Sequence, residues 1–363
     1  MSRFITDTFN QTIKIDGKVY TRNNLNLLSY NNDTGKEIYN DIYSFLKEWW
    51  DGKDIITVHT SGSTGAPKAM IAEKKKMIAS AITTLSFLDI NKHHTALLCM
   101  PLNYIAGKMM LVRALVGGFN LLTVNPCGNP LNEMTISPNF AAMIPLQVYN
   151  SVQDEKERKI LQGIHHLIIG GGAIDEKLQS HIEEFPNNIW STYGMTETLS
   201  HVAMRRVNGK DKSEWYTPLK DVKVTLTTDN RLIINAPRVC DKELITNDIA
   251  EINYKGNFKI NGRKDNVINS GGIKIQIEQV EALISNITDC NFMITWKADE
   301  KFGQKIVMLI EGKEDIIDNI SEKCRKNLPK HWQPKEYIAI YSLPLTETGK
   351  PDRATAIKIA SDI

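Results

Sequence analysis

No apolar run in this chain approaches the roughly 20 residues that cross a bilayer, and the opening residues Met1 to Asp7 lack the apolar core of a signal peptide. Cysteine is sparse and scattered. Cys99, Cys127, Cys240, Cys290 and Cys324 are odd in number, far apart and free of any Cys-x-x-Cys pair, which argues against a metal cluster and for a reducing compartment. Neither sign of charge is in excess: 44 Lys and Arg stand against 42 Asp and Glu, interspersed, for a formal net charge of +2. Nothing in that balance argues for nucleic acid or an anionic membrane as a partner. Internal repeats and low-complexity tracts are also missing. These absences leave a soluble cytoplasmic globular protein as the expectation. At 363 residues the chain exceeds what one core usually serves, so two domains are expected, with a homodimer as the default assembly.

What is present is alternation. Short apolar runs at 55–58, 95–100, 119–124, 140–144 and 166–169 read as strands, with helix-like patterns near 73–89, 104–116 and 175–184 between them. Strands alternating with helices at this spacing imply parallel α/β layers. Near residue 215 shorter strands take over, around 221–227, 231–235, 249–254 and 257–260, divided by Asp229-Asn230 and Gly256-Asn257 turns. They predict a small antiparallel subdomain closing the large domain. The preferred boundary lies at 262/263, giving domains 1–262 and 263–363. Beyond it a helix (278–285), strands (291–296 and 305–310), a helix (314–326) and a strand (336–341) predict a compact α+β unit, whose polar final segment 345–353 belongs on the surface. The run Glu73-Lys74-Lys75-Lys76 reads as the solvated face of a helix.

Several segments have a composition suited to a nucleotide. Thr60-Ser61-Gly62-Ser63-Thr64-Gly65-Ala66-Pro67-Lys68 follows an apolar strand. Its small residues let the backbone approach a ligand and set N–H groups on phosphate oxygens; Ser61, Ser63 and Thr64 add hydroxyls and Lys68 a positive charge. It is not a Walker A loop, because Ala66-Pro67 separates Gly65 from Lys68 and Ala69 follows the lysine. Alone, it is equally an ordinary Gly/Ser loop. Gly170-Gly171-Gly172-Ala173 ends a strand and opens a helix, where three glycines let a flat ring or a phosphate lie on backbone, or simply make a tight turn. Ser191 to Thr198 follows a short strand at 188–190 and offers Tyr193 for stacking, hydroxyls for phosphate, and Glu197 for Mg2+. Asp248 suits two ribose hydroxyls and equally a turn. His59, His93-His94 and His165-His166 make no shared ligand face, since adjacent residues on a helix or strand point in different directions.

Together and in this order, these segments resemble the adenylate-forming superfamily of acyl-CoA synthetases, luciferases and peptide-synthetase adenylation domains, from about residue 55 to residue 353. The superfamily's phosphate loop matches 60–68, its adenine-binding Gly-Gly-Ala matches 171–173, and its Tyr-Gly-x-Thr-Glu matches 193–197. Its ribose aspartate matches Asp248, its hinge Gly-Arg-x-Asp matches 262–265, its Gly-Gly-x-Lys matches 271–274, and its carboxy-terminal Gly-Lys matches 349–350. The resemblance implies a large α/β domain with an antiparallel subdomain and a small mobile α+β domain. It implies ATP, Mg2+ and coenzyme A as cofactor and substrates, and a two-step reaction by way of an acyl-adenylate. Lys350, Glu197, Thr64 and Lys68 are then the catalytic groups, Glu197 holding the metal. Thr60, Ser61, Gly62, Ser63, Thr64, Gly65, Lys68, Gly171, Gly172, Ala173, Thr192, Tyr193, Gly194, Met195, Thr196, Asp248 and Arg263 line the ATP site. Asp265 is the hinge, and Gly271, Gly272 and Lys274 face the thiol of CoA.

Pro101 to Gly107 resembles the superfamily's acyl-pocket motif, with Tyr104 where a histidine usually stands. Farther along the same helix, Arg113 falls where o-succinylbenzoate–CoA ligases of menaquinone biosynthesis tend to carry Arg or Lys for the acid's second carboxylate, and Ser200 resembles a substrate contact of that subgroup. Arg113 on a helix is otherwise a surface residue. The chain is shorter than is typical ahead of the phosphate loop, which suits a small, compact acid. Asn247 replaces the usual glycine before the ribose aspartate. The leading expectation is an o-succinylbenzoate–CoA ligase. The alternatives are an aryl-acid adenylating enzyme that loads a carrier protein, and a non-catalytic adenylate-binding protein.

Overall fold

Parallel strands with both faces covered organise the first two-thirds of the chain. The computed structural model describes residues 3–29, 37–59, 69–346 and 349–362. Within them nine strands form one sheet, in the order Thr217–Pro218, His201–Arg206, Asn188–Gly194, His166–Ile169, Phe140–Met143, Thr95–Leu98, Asn120–Thr123, Ile13–Ile15 and Lys18–Tyr20. From Asn188–Gly194 to Ile13–Ile15 each strand runs parallel to the next; the remaining pairings, at the two ends, are antiparallel. Phe140–Met143 is buried along its whole length, which is why it reads as an unbroken apolar run. Helix Ile105–Gly117 is apolar on every face apart from Lys108 and Arg113, and is buried from Met109 to Gly117. The expected strands and helices of this half are all present, their ends shifted by at most two residues, except that the strand expected at 188–190 runs on to Gly194.

Several elements were not expected. The hairpin Ile13–Ile15 and Lys18–Tyr20 turns at Asp16 and Gly17, both with positive φ (45° and 83°), the geometry that Asp-Gly favours. Helices Ile38–Trp49, Pro145–Gln153 and Glu155–Gly163 and strand His201–Arg206 were also missed. The solvated reading of Glu73–Lys76 holds for Lys75, whose side chain is 79% exposed, and fails for Lys74, which is 4% exposed. The Lys74 ammonium donates to the carbonyls of Glu48 (3.0 Å) and Trp49 (2.8 Å) and to Asp51 Oδ1 (3.0 Å). It thereby caps the carboxyl end of helix Ile38–Trp49, where carbonyls lack partners and the helix dipole favours a cation.

Strands Lys223–Leu226, Arg231–Asn235, Leu244–Ile252 and Phe258–Arg263 form the expected small second sheet, its last two strands antiparallel. A third sheet pairs Ile273–Gln276, Val267–Ser270, Gly303–Glu311 and Phe292–Asp299 in that order, with Glu336–Ile340 parallel to Gly303–Glu311. Alternate residues of Gly303–Glu311 enter different cores. Ile306, Met308 and Ile310 pack with Ile277, Val280, Ile284, Ile320 and Cys324; Val307 and Leu309 pack with Ala356 and Ala360 of helix Arg353–Asp362. This is the α+β unit expected from the sequence. The chain divides into two compact units: Met1–Ile174, Leu178–Val224 and Ile234–Leu244 form one, and Asp175–Lys177, Thr225–Ile233 and Ile245–Ile363 the other. Among the described residues no helix is long and apolar enough to cross a membrane.

Lys74→Met removes three charge-assisted bonds from a buried helix end and is expected to cost about 2–3 kcal/mol in chemical denaturation, while Lys75→Met stays within about 0.5 kcal/mol. Equal effects of the two would show that the cap contributes nothing.

Candidate active site

In an open parallel sheet the carboxyl ends of the strands share one edge, and ligands bind at the loops leaving it. Two of the expected segments leave that edge. Gly170 to Ala173 follows His166–Ile169, and Met195 to Ser200 follows Asn188–Gly194. The glycines there are sterically required. A Cβ on Gly170 would lie 2.5 Å from Thr192 Oγ1, and Gly171 has φ +82°. A Cβ on Gly194 would lie 2.3 Å from the Ser200 carbonyl oxygen, because strand His201–Arg206 folds straight back beside it. The Tyr193 ring lies 5.9 Å from that of Tyr216, tilted by 58°. Thr196–Thr198 is a single 3-10 turn that ends at Leu199 in left-handed conformation (φ 62°). The Thr198 hydroxyl is fully buried, accepts from the Met195 N–H (3.0 Å) and reaches the Ser200 carbonyl (2.7 Å). Glu197 projects from this turn, exposed. One exposed carboxylate suits Mg2+, which keeps several waters and is commonly held by one or two carboxylates together with substrate phosphates.

The phosphate-loop residues Thr60, Ser61, Gly62, Ser63, Thr64, Gly65 and Lys68 lie outside the described residues. Their flanks are described: Ile55–His59 pairs antiparallel with Ala69–Glu73, His59 opposite Ala69. Lys108 Nζ donates to the Thr57 carbonyl (2.7 Å), and Tyr104 bridges His59 at the start of helix Ile105–Gly117.

That helix carries Arg113 inward. The residue is 2% exposed, so the surface reading of a helical arginine does not apply. Arg113 Nη2 donates to Ser200 Oγ (2.6 Å) and Nη1 faces Met110 Sδ (3.5 Å). Its Nε is buried with no hydrogen-bond partner, and no carboxylate among the described residues pairs with it. Burial pushes the guanidinium pKa down to about 10, which leaves it cationic at neutral pH. Sequence reading passed over the residues behind Ser200. His201 Nδ1 lies 3.4 Å from Ser200 Oγ, and its Nε2 lies 2.9 Å from Thr84 Oγ1. Burial, and then the charge of Arg113, hold His201 well below the ordinary histidine pKa. The available signal was the pair Ser80 and Thr84, two buried hydroxyls at helical spacing on helix Lys74–Phe87.

The remaining expected residues lie in the second unit. Asp248 sits inside strand Leu244–Ile252, directly opposite Arg263, which excludes the turn reading. Arg263 Nη1 donates to Asp248 Oδ1 (2.9 Å), while its Nε and Nη2 donate to the two oxygens of Asp265 (2.9 Å each). Burial raises the Asp265 pKa, but Arg263 outweighs it and, with help from the Asn247 side chain, holds the carboxyl below its usual range. Gly262 has φ +145°, and a Cβ there would lie 2.4 Å from Gln276 Nε2, which donates to the Arg263 carbonyl (2.7 Å). Gly271 and Gly272, both with positive φ (59° and 84°), form the two-residue tip of the hairpin between Val267–Ser270 and Ile273–Gln276; Lys274 is exposed beside it. Lys350 closes onto Thr346: its N–H donates to Thr346 Oγ1 (3.1 Å) and its carbonyl accepts from the Thr346 N–H (2.8 Å). Burial, then the charge of Arg263, lower the Lys350 pKa.

Residues 12–232 match the family described as AMP-binding enzyme. The 2-succinylbenzoate–CoA ligase of Salmonella typhimurium is 26% identical over 327 residues, 85% of this chain and 70% of that protein. The ligase of the same name from Escherichia coli is 27% identical over 297 residues, 77% of this chain, which spans only 63% of that relative's length. Among solved structures, an acyl-CoA synthetase (AMP-forming)/AMP-acid ligase II-like protein from Dyadobacter fermentans is 30% identical, with a TM-score of 0.60 across 93% of this chain and 98% of that one. The chain therefore belongs to the AMP-binding enzyme family, as an ATP-dependent, AMP-forming ligase.

Proposed function

We propose that this protein is an acid–CoA ligase whose acid is o-succinylbenzoate, and that it serves menaquinone biosynthesis. The observation that carries the reading is Arg113, a buried guanidinium with an unsatisfied Nε and no carboxylate partner among the described residues. A buried charge without a counter-charge costs several kcal/mol, and an anionic ligand group arriving there removes that cost. An arginine grips a carboxylate through two parallel bonds. The acid that fits has one carboxylate to be activated and a second for Arg113, and the two curated relatives are named for such an acid.

In the first step the reacting carboxylate attacks the α-phosphorus of ATP and pyrophosphate leaves. Two anions must approach, so cationic screening is the chief demand. Lys350 supplies it, Glu197 holds Mg2+, and residues 60–68, with Thr64 and Lys68, hold the departing pyrophosphate. Gly171 to Ala173 and Tyr193 receive the adenine, and Asp248 the ribose. In the second step the CoA sulfur attacks the acyl carbonyl and AMP leaves. The working domains are 1–262 and 263–363, and rotation about Asp265 brings Gly271, Gly272 and Lys274 to the thiol.

Thioester formation with MgATP and CoA is expected to favour o-succinylbenzoate strongly over benzoate and a medium-chain fatty acid. Turnover with only another acid would discard the substrate. Arg113→Ala should raise KM for o-succinylbenzoate by about 30-fold or more with little change in kcat; an effect confined to kcat would remove the second-carboxylate contact. Lys350→Ala should slow ATP–pyrophosphate exchange on the order of 10²–10³-fold, while transfer from preformed acyl-adenylate to CoA changes little. Equal loss in both half-reactions would count against rotation about Asp265.

A further inference from the structure

We propose that His201, as the neutral Nε2–H tautomer, is a positioning residue for acid recognition, holding Ser200 and through it Arg113 in a one-way chain of hydrogen bonds. The direction follows from what each group can donate. A guanidinium only donates, so in the 2.6 Å contact with Arg113 Nη2 it is Ser200 Oγ that accepts. The Ser200 hydroxyl proton then needs an acceptor, and the group offered by the described residues is His201 Nδ1 at 3.4 Å. For Nδ1 to accept, the single proton of the neutral ring must sit on Nε2. That N–H points at Thr84 Oγ1, 2.9 Å away, whose own proton goes one turn back along the helix to the Ser80 carbonyl at 3.2 Å. In this arrangement every proton has an acceptor. In the other tautomer Nδ1–H and Nη2–H both point at Ser200 Oγ, and the Ser200 proton has no acceptor among the described residues. Thr84 is 1% exposed, so water does not readily replace the ring as its partner.

The consequence concerns selectivity. With Nη2 anchored on Ser200, the rest of the guanidinium is presented in a set orientation, and Ser200 serves as the anchor of Arg113 rather than as a free contact for the acid. Nothing in this chain of bonds touches the reacting carboxylate, so its loss should weaken capture of a dicarboxylate without slowing chemistry. That last step rests on the proposed reading of Arg113; the tautomer does not.

Two measurements separate them. Nitrogen-15 NMR of the histidine-labelled full chain at neutral pH, with His201 assigned through backbone correlations, should show protonated Nε2 and bare Nδ1. A proton on Nδ1 would overturn the proposal whatever the acid. Kinetically, His201→Asn keeps an amide oxygen near the Nδ1 position to accept from Ser200, whereas His201→Gln reaches only toward Thr84. The Gln variant should raise KM for o-succinylbenzoate about tenfold, the equivalent of one hydrogen bond, with kcat within about twofold and KM for benzoate unchanged. The Asn variant should largely restore KM. Equal defects in both variants, or a shift shared by benzoate, would reduce His201 to a packing role. The expected tautomer in a protein that turns over no o-succinylbenzoate would keep the chain of bonds and discard the substrate.

Discussion

One guanidinium, buried with no counter-ion among the described residues, sets the demands on the elements around it. Removing Arg113 from water is costly, and the described residues offer its guanidinium one hydroxyl oxygen and one thioether sulfur. Helix Ile105–Gly117 enters the interior because its other faces are apolar, and it lies so close under the preceding loop that a Cβ on Gly107 would come within 2.3 Å of the Pro101 carbonyl. On the opposite side Gly194 lets strand His201–Arg206 fold back. Leu199 accepts a left-handed backbone, a strain of order 1–3 kcal/mol, and the buried Thr198 hydroxyl stitches the turn together. The product of these constraints is one hydroxyl, that of Ser200, delivered to Nη2. Strain of this kind persists where the surroundings over-determine it, as Gly194 and the buried Thr198 hydroxyl do here.

The second unit handles charge by the opposite rule. Arg263 is shared between Asp248 and Asp265, and Arg353 grips Glu281 through both carboxylate oxygens (2.6 and 2.7 Å) while also donating to the Ile294 carbonyl. Removing one member of a pair as well formed as Arg353 and Glu281 would strand the other and cost on the order of 3–5 kcal/mol. Arg353 stands three residues after Lys350 and begins the last helix, so the pair fixes the end of the Lys350 segment against the sheet. Paired charges here set geometry. Arg113, which has no carboxylate partner among the described residues, is the exception.

The legible parts of the fold were those where burial writes a pattern into the sequence. Covered on both faces, Thr95–Leu98, Phe140–Met143 and His166–Ile169 appear as apolar runs. The hairpin at residues 13–20 was missed because three-residue strands carry too little alternation, although its Asp16-Gly17 turn was in plain view. Strand His201–Arg206 was hidden by His201, Arg205 and Arg206, half-buried polar residues that sheet periodicity scores as loop. Lys74 was misread because a charge capping carbonyls 25 residues away looks locally like any solvated lysine. At the site, the motif pointed to Arg113 and Ser200 as residues, but no local pattern says that a helical arginine has no carboxylate partner among the described residues. That absence, and the line from Ser200 through His201 to Thr84, exist only once helix Lys74–Phe87 is laid beside strand His201–Arg206.

The division of labour proposed for the two cations follows from their chemistry. Recognition of a carboxylate that does not react is served by a charge that never titrates, and a planar fork adds a fixed direction. An arginine meets both needs even when burial lowers its pKa to about 10. Charge that develops during a reaction, spread over carboxylate and phosphate oxygens, suits a compact ammonium on a flexible stem, which can follow the charge as it moves. Lys350, on a short turn closed by Thr346 and eased toward neutrality by burial and by Arg263, meets that second need. On the proposed reading, Arg113→Lys keeps a charge for the second carboxylate but gives up the paired bonds of the fork, whereas Lys350→Arg gives up the freedom to follow the charge.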